Sequence, residues 1–305
     1  METIDETLTL MSNDDLIRLA QMLRIPLTSR YVERKSVVEA VSAALAERGT
    51  EGLWVEKLQD PAIAVVSMRK EFGRKVAVEA LDLFVRPGEI VGLVGPNGAG
   101  KTTTLRVIAG IIRPTSGDVS VNGVSVGDSS LEAKRIVGYI PERPTCYEDL
   151  RVREYLTFVA KVYGVPPHVA LLRISRFARM LQLEEYLDTY VGALSKGNLQ
   201  RTLLAGIFVR PPPYILLLDE PIYGLDPRGA WSLKRHLRHL RETGSAILLS
   251  THILEVAEGL CDRFVIMHEG KVVGRGTLES LRKRFPDARN LEEVFLELTG
   301  GIPEE

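Results

Sequence analysis

One segment restricts the fold of this chain more than any other: a short apolar run that leads through a glycine-rich turn into a helical pattern. The run covers residues 90–94, the turn contains Gly95, Gly98 and Gly100, and the helical pattern starts at Thr103. A run of this kind predicts a strand buried on both faces of a parallel sheet. Glycine lets the backbone curl tightly between such a strand and the next helix. The segment therefore predicts an α/β fold.

The turn has the spacing of a phosphate-binding P-loop. Its residues are Gly95, Pro96, Asn97, Gly98, Ala99, Gly100, Lys101, Thr102 and Thr103. Successive backbone N–H groups of such a loop point inward, and the positive end of the helix dipole lies behind them. Lys101 would bridge the β- and γ-phosphates, and the Thr102 hydroxyl would ligate Mg²⁺. The loop predicts nucleoside triphosphate binding, but by itself it does not choose among kinases, GTPases, motors and transport ATPases.

Strand and helix patterns alternate along most of the chain. The predicted strands lie at 63–68, 75–85, 90–94, 119–121, 215–218, 246–249 and 263–267. Helices predicted at 228–242 and 254–260 separate the later strands, and a long helical stretch from 152 to about 191, interrupted near Pro166, precedes them. This alternation implies a mostly parallel sheet with helices on both faces.

Residues 1–60 differ from the rest in pattern and charge, with 11 acidic and 7 basic residues and helical periodicity. Ser12 followed by Asp15 predicts a helix start, and a second helix is predicted over about 31–47. Two short helices bury little apolar surface alone. The segment is interpreted as a small helical module, and its role is left open between a protein contact and a regulatory cap.

A second apolar run, residues 215–218, ends in the carboxylates Asp219 and Glu220. At a strand end beside a P-loop, Asp219 can hold Mg²⁺ through water and Glu220 can polarise an attacking water. Paired acids after a strand otherwise most often begin a helix. Their position downstream of a P-loop favours the interpretation as a site.

Three more segments occur in a fixed order around these acids. They are Leu194-Ser195-Lys196-Gly197-Asn198, Gly224-Leu225-Asp226-Pro227 and Ser250-Thr251-His252. With them the chain resembles the nucleotide-binding domain of ATP-binding cassette (ABC) transporters over roughly residues 62–282. The resemblance implies a P-loop NTPase with a RecA-like core sheet, an antiparallel β subdomain and a helical subdomain at about 145–195. The cassette would occupy residues 61–282, and a helical tail would follow over 283–305.

The resemblance also implies roles for single residues. Phe72 would stack on adenine, although it can also be read as a core aromatic at a strand end. Glu220 would be the general base, and His252 would contact the γ-phosphate and orient the water. Asp226 would lie in the loop that links two sites.

The segment Ser195, Lys196, Gly197 and Asn198 would form a signature loop that contacts the γ-phosphate held by an opposite subunit. Two positions depart from the family pattern, which commonly has glutamine where Glu142 and Asn198 stand. Glu142 can still reach Mg²⁺, directly or through water, but it adds negative charge near the phosphates. Because Glu220 and His252 are present, ATP hydrolysis is expected.

The resemblance implies partners as well: a second ATPase subunit, identical or different, and a separate integral membrane subunit that exports a cargo. The membrane subunit would contact residues 144–152 and the helical insert, where Arg173, Arg176 and Arg179 form a basic stripe that can also be a solvated face. The chain itself has no apolar run of the roughly 18 residues that a spanning helix needs. It is therefore expected to be cytoplasmic and peripheral on the cell membrane through its partner.

Charge bears on a competing function, that of a soluble ABC ATPase acting on ribosomes or nucleic acid. The net charge of −1 lacks the basic excess that displaces counterions from a nucleic-acid backbone. That class also tends to fuse two cassettes, whereas one is present. The sequence favours the transporter subunit, with ATP and Mg²⁺ as cofactors and no nucleic-acid partner.

Overall fold

The computed structural model describes residues 4–23, 25, 34–48, 58–126, 131–212 and 214–300. These residues form two compact units. One is helical and contains the described residues up to position 48 together with Pro144–Pro211 and Asp226–Ser232. The other contains the remaining described residues and both β-sheets.

The helices and strands follow the alternation expected from the sequence. The described α-helices are α1 (Ile4–Leu10), α2 (Asn13–Met22), α3 (Arg34–Arg48), α4 (Lys101–Ile108), α5 (Leu131–Ile136), α6 (Val152–Val162), α7 (Pro167–Met180), α8 (Lys196–Phe208), α9 (Pro227–Glu242), α10 (Leu254–Glu258), α11 (Leu278–Arg284) and α12 (Leu291–Thr299). The described strands are β1 (Ile63–Phe72), β2 (Lys75–Val85), β3 (Glu89–Val94), β4 (Ser116–Val121), β5 (Val124–Ser125), β6 (Val137–Ile140), β7 (Ile215–Asp219), β8 (Ala246–Thr251), β9 (Arg263–His268) and β10 (Lys271–Gly276).

The strands form an antiparallel sheet and a mostly parallel sheet, which confirms the predicted fold class. The antiparallel sheet has the order β2-β1-β4-β5. The larger sheet has the order β10-β9-β3-β8-β7-β6, in which only β10 is antiparallel to its neighbour. Strand β8 lies between β3 and β7, so the carboxyl ends of these three strands meet at one edge of the sheet. Ligands of open α/β sheets bind at such an edge.

Both faces of the central strands are covered. Every residue of β7 and β8 is buried, and the same holds for β3 from Ile90 onward. This explains why their sequences are continuous apolar runs rather than alternating ones. The tail helix α12 buries Leu291 and Val294 against a cluster that includes Phe264 and Ile266.

The N-terminal helices pack within the helical unit. Ser12 accepts a hydrogen bond from the Asp15 backbone N–H at 3.1 Å and caps α2, as predicted. Buried side chains of α1, α2 and α3 form one apolar cluster with Leu171 and Leu172 of α7. Arg153 of α6 adds an ion pair with Asp15 at 2.9 Å. The module thus buries its apolar faces against the helical insert.

Several predicted boundaries are wrong. The helical stretch expected to reach 191 ends at Met180, and short 3-10 turns follow at Glu184–Tyr186 and Val191–Ala193. Helix α1 and strands β6 and β10 were not expected, while part of the helix predicted over 31–47 lies outside the described residues. Strand β10 contains Gly274, pairs with β9 alone at the sheet edge and is mostly not buried, so its apolar pattern is weak.

Two arginines of the basic stripe have partners within the helical unit. Arg173 donates hydrogen bonds to the carbonyls of Val209 and Arg210, at 3.1 and 2.6 Å. Arg179 pairs with Glu184 at 3.4 Å. The interpretation of the stripe as a solvated face therefore fails for these two side chains. Among the described residues, no helix combines the length and the apolar character needed to cross a membrane.

Candidate functional site

The P-loop connects β3 to α4 at the edge where the parallel strands end. Gly95 (φ +151°) and Gly100 (φ +103°) have backbone conformations that favour glycine. A Cβ atom at Gly95 would lie 2.1 Å from the Met267 carbonyl oxygen, and one at Gly100 would lie 2.6 Å from the Ala77 carbonyl oxygen. No side chain fits at either position, so the spacing of these glycines follows from packing as well as from phosphate binding.

Lys101 begins α4 and is only 6% exposed. Its Nζ donates hydrogen bonds to the carbonyls of Gly95 at 2.7 Å and Pro96 at 3.0 Å. Burial lowers the pKa of the Lys101 ammonium, while the nearby carboxylates of Glu220, Asp219 and Glu142 act in the opposite direction. The side chain is thus a buried ammonium group held by carbonyls of the loop, and an ammonium group of this kind can bind phosphate.

A cavity of about 350 Å³ opens in front of the loop. Its walls contain half of the residues predicted to bind nucleotide, the predicted acids Asp219 and Glu220, and two residues that were not predicted. The lining residues are Phe72, Lys75, Ala77, Asn97, Gly98, Gly100, Lys101, Thr102, Thr103, Glu142, Asp219 and Glu220. Gly95, Pro96 and Ala99 lie in the loop without lining the cavity. Lys75 and Ala77 carry no motif, and only the pairing of β2 with β1 brings them here.

Phe72 lies at the end of β1 and is 51% exposed, which excludes its reading as a core aromatic. The Lys70 Nζ lies 4.9 Å from the centre of its ring, a cation–π distance. Lys70 also donates a hydrogen bond to the Arg113 carbonyl at 2.8 Å. An exposed ring at one end of the cavity suits a flat, aromatic base.

Asp219 ends β7 and is 1% exposed. Its Oδ1 accepts a hydrogen bond from the Ser250 hydroxyl. Its Oδ2 is buried and has no hydrogen-bond partner within the described part of the chain. This orphaned carboxylate oxygen belongs to a cavity that Thr102 also lines, and it fits Mg²⁺, which keeps several waters and takes phosphate oxygens as ligands. Among the described residues no cluster of three or more His, Cys, Asp and Glu could hold a metal by itself.

Glu220 follows Asp219 and is held by the end of β8. Its Oε2 accepts a hydrogen bond from the Thr251 hydroxyl at 2.9 Å, and its Oε1 accepts one from the His252 backbone N–H at 2.8 Å. His252 Nδ1 lies 2.7 Å from the same Oε1. Because a carboxylate oxygen accepts, Nδ1 carries the proton and Nε2 is left as the outward nitrogen. Glu220 itself has φ +51°, a strained backbone conformation of the kind found at functional sites.

The signature segment begins α8 within the helical unit. Ser195 is the N-cap residue, and its hydroxyl accepts a hydrogen bond from the Asn198 backbone N–H at 3.3 Å. Lys196, Gly197 and Asn198 form the first turn of this helix, where the helix dipole is positive. In the same unit, Asp226 forms an ion pair with Arg201 of α8 and accepts a hydrogen bond from the Gly229 N–H at 3.2 Å.

Sequence reasoning missed three of these supporting residues. Ser250 and Thr251 precede the predicted histidine and hold the two carboxylates, and Arg201 holds Asp226. The signal for the first two was their position at the end of a strand next to β7. Arg201 lies in a helix 25 residues before its partner, so no local pattern could reveal the contact.

Three features occur together at this edge of the sheet. They are a P-loop after a buried parallel strand, an Asp–Glu pair at the end of a nearby strand, and a histidine bonded to that glutamate. With the antiparallel sheet and the helical insert, they define a P-loop nucleoside triphosphatase of the cassette type.

Comparisons with known proteins identify the family. The model of the ABC transporter family matches residues 78–223. The ABC-type transporter ATP-binding protein EcsA of Bacillus subtilis (strain 168) is 34% identical over 239 residues, which cover 78% of this chain and 96% of that protein. The Nod factor export ATP-binding protein I of Burkholderia pseudomallei (strain 1710b) is 39% identical over 68% of each chain. The chain belongs to the ABC transporter ATP-binding proteins.

Solved structures of ABC transporter cassettes are similar to this chain as well. The structure of an ATP binding subunit of an ABC transporter has a TM-score of 0.73 at 35% identity, and the match covers 78% of this chain and 99% of that chain. A dimeric bacterial ABC transporter cassette has a TM-score of 0.64 at 23% identity over 71% of this chain and 98% of that one. The second likeness is one of fold.

Proposed function

We propose that the chain binds and hydrolyses ATP as the ATPase subunit of an ABC exporter and drives transport through a separate integral membrane subunit. The observation that carries the catalytic part is the buried Glu220 carboxylate, held by Thr251 and His252 beside the P-loop cavity. A fixed carboxylate at this edge is placed to take a proton from water. The relatives named for export support the transport part.

The residues that line the cavity support the following reaction. The P-loop N–H groups and Lys101 would hold the β- and γ-phosphates, and Phe72 would support the base. Asp219, Thr102 and Glu142 would hold Mg²⁺, which when bound supplies charge neutralisation to the phosphates. A water attacking the γ-phosphorus gives its proton to Glu220 while the bond to the β-phosphate oxygen breaks, and His252 orients that water. ADP and phosphate are the products.

Two subunits would be needed for a complete site. The P-loop surrounds one side of the γ-phosphate, so the N-terminal turn of α8, from Ser195 to Asn198, would close over the other side in a partner subunit. Asp226 would lie between the two sites, steadied by Arg201. Loss of the γ-phosphate would remove the contacts through which it joins the two subunits, and the dimer would dissociate. The dimeric cassette among the similar structures supports this arrangement.

The membrane subunit would contact the helical unit near residues 144–152. The large side chains exposed on that unit include Tyr147, Phe158, Val162 and Tyr190. Tyr147 and Phe158 form an edge-to-face pair with ring centres 5.5 Å apart. Exposed aromatic side chains of this kind favour protein contact over contact with water.

The catalytic proposal is tested by Glu220→Gln in the full chain. The amide keeps the size of the side chain but cannot take a proton, so we expect ATP binding to persist and turnover to fall by at least about 100-fold. Light scattering after gel filtration should detect an ATP-bound dimer. Glu255→Gln, which neutralises an exposed carboxylate of α10, is the matched control and should retain wild-type turnover. A fully active, monomeric Glu220→Gln protein would refute the role of Glu220.

The transport proposal is tested by extracting the full chain from native membranes and identifying what co-purifies. We expect an integral membrane protein. Its removal from the cells should release the chain from the membrane fraction. Sedimentation with ribosomes or nucleic acid, and indifference to loss of the membrane protein, would point instead to a soluble ABC ATPase.

A further inference from the structure

The charges that line the nucleotide cavity do not match its proposed ligand. Three carboxylates, Glu142, Asp219 and Glu220, face the same space as the two lysines Lys75 and Lys101. The lining is therefore negative at neutral pH, although a nucleoside triphosphate is itself strongly negative. Coulomb repulsion between the two must be overcome before the nucleotide can bind.

Two of the three carboxylates are already engaged by the protein. Glu220 accepts hydrogen bonds from Thr251 and His252, and one oxygen of Asp219 accepts from Ser250. The other Asp219 oxygen, Oδ2, is buried and lacks a hydrogen-bond partner in the described part of the chain. An oxygen in this state points to a cation as its partner, because a buried carboxylate without one is costly.

Glu142 is the third carboxylate, and the described part of the protein does not engage it as it engages the other two. It follows β6 in an exposed segment, and within the described residues it joins no hydrogen bond or ion pair. It lines the cavity, and its charge acts on Lys101. Glu142 therefore borders the space for the ligand, and no hydrogen bond or ion pair within the described residues ties its carboxylate to the protein.

We propose that Glu142 makes the cavity select the metal-bound nucleotide and reject the metal-free one. This inference rests on the proposed ATP-binding function. The carboxylate repels the phosphates of a free nucleotide but attracts a divalent cation held between them, directly or through water. Glu142 and the free oxygen of Asp219 thus favour the same form of the ligand.

A single charge is sufficient to produce a measurable preference. One carboxylate a few ångströms from a multiply charged triphosphate, at an exposed position where water and salt screen it, changes affinity by about tenfold. A glutamine at this position has nearly the same shape and keeps one carbonyl oxygen for a cation, but it carries no charge. Glu142→Gln therefore isolates the electrostatic contribution.

The test is equilibrium binding of a fluorescent ATP analogue to the full chain, once with excess Mg²⁺ and once with EDTA. The measured quantity is the ratio of the Kd in EDTA to the Kd in Mg²⁺. We expect Glu142→Gln to lower this ratio by about tenfold, mainly through tighter binding in EDTA. Glu148→Gln, which removes an exposed carboxylate six positions further along, should leave the ratio at its wild-type value.

Equal ratios for wild type and Glu142→Gln would overturn the proposal, and so would an equal decrease in both variants. Thermal unfolding without nucleotide checks that the variants are folded. If the wild type fails to bind the analogue even with Mg²⁺, the proposed ATP-binding function fails as well, and that result is distinct from an unchanged ratio.

Discussion

At the scale of single residues, the site is built from charges that the fold holds in place. Glu220 adopts a left-handed backbone conformation, and its carboxylate accepts three short contacts from Thr251 and His252. A non-glycine residue in such a conformation costs about 1–3 kcal/mol and persists only where neighbours hold it. The contacts with the end of β8 provide that support, so the position of the carboxylate is determined before any nucleotide binds.

Lys101 carries a prediction about pH. Burial lowers the pKa of the Lys101 ammonium in the folded protein. Below this lowered pKa the buried ammonium is charged and destabilises the fold, because water solvates the same group better in the unfolded chain. As the pH rises from the lowered pKa toward the pKa of lysine in the unfolded chain, the folded protein loses the charge first and this destabilisation disappears. We therefore expect wild type to gain stability relative to Lys101→Met between neutral pH and pH values near the ordinary lysine pKa, without nucleotide. Thermal unfolding of both proteins across that range measures the difference.

The control is Lys75→Met, which removes an exposed lysine from the same cavity. Its stability difference from wild type should not follow this trend. Lys101→Met should in addition lose stabilisation by added ATP. A difference between wild type and Lys101→Met that is the same at all pH values would contradict the assigned effect of burial.

At the scale of elements, the P-loop is fixed by contacts on its outer side. Gly100→Ala places a methyl group 2.6 Å from the Ala77 carbonyl oxygen, whereas at Gly98 a Cβ meets nothing within 4 Å. Both glycines have positive φ, so alanine strains the backbone in either variant. The two variants therefore differ in the steric clash, which only Gly100→Ala introduces. We expect Gly100→Ala to be less stable than Gly98→Ala by about 1–3 kcal/mol. Urea unfolding measures this.

The affinity for ATP provides a second measurement with which to compare Gly100→Ala and Gly98→Ala. Displacement of the loop by the Gly100→Ala clash should weaken ATP binding well beyond the effect of Gly98→Ala. Equal stability and equal affinity of the two variants would show that the loop is not confined by Ala77.

The elements also show which features sequence can reveal. The P-loop, the Asp219–Glu220 pair and the Ser12 cap each lie within a few residues of chain, and local rules predicted them. Strand β10 was not predicted, because an edge strand that contains glycine has a weak apolar pattern. The pairing of Arg201 with Asp226, and the arrival of Lys75 at the cavity, depend on how distant segments fold together, which periodicity does not encode.

At the scale of the whole molecule, one ion pair joins segments 138 residues apart in sequence. Asp15, whose side chain is 7% exposed, contacts Arg153, whose side chain is 23% exposed. Removal of one partner leaves the other charge partly buried, which is costly. Since Arg153 is partly solvated and also lies 3.6 Å from Asp188, we expect Asp15→Ala to reduce the free energy of unfolding by about 2 kcal/mol.

Asp14→Ala provides the matched control, because Asp14 also lies in the first turn of α2 but is exposed. Urea denaturation of both variants gives the comparison. Similar midpoints for Asp14→Ala and Asp15→Ala would mean that the contact with Arg153 adds nothing to stability beyond the favourable position of an acid at a helix start.

The packing of α7 under the N-terminal helices has a practical consequence for anyone who trims this protein. Leu171 and Leu172, which are 8% and 7% exposed, share one apolar cluster with buried side chains of α1, α2 and α3. A shortened version that starts at the cassette would lose these neighbours and would expose apolar surface of the two adjacent leucines to water. Such a fragment should precipitate or bind chaperones during purification even with an intact nucleotide cavity. Poor behaviour of the fragment would then reflect a lost cover rather than a defective enzyme.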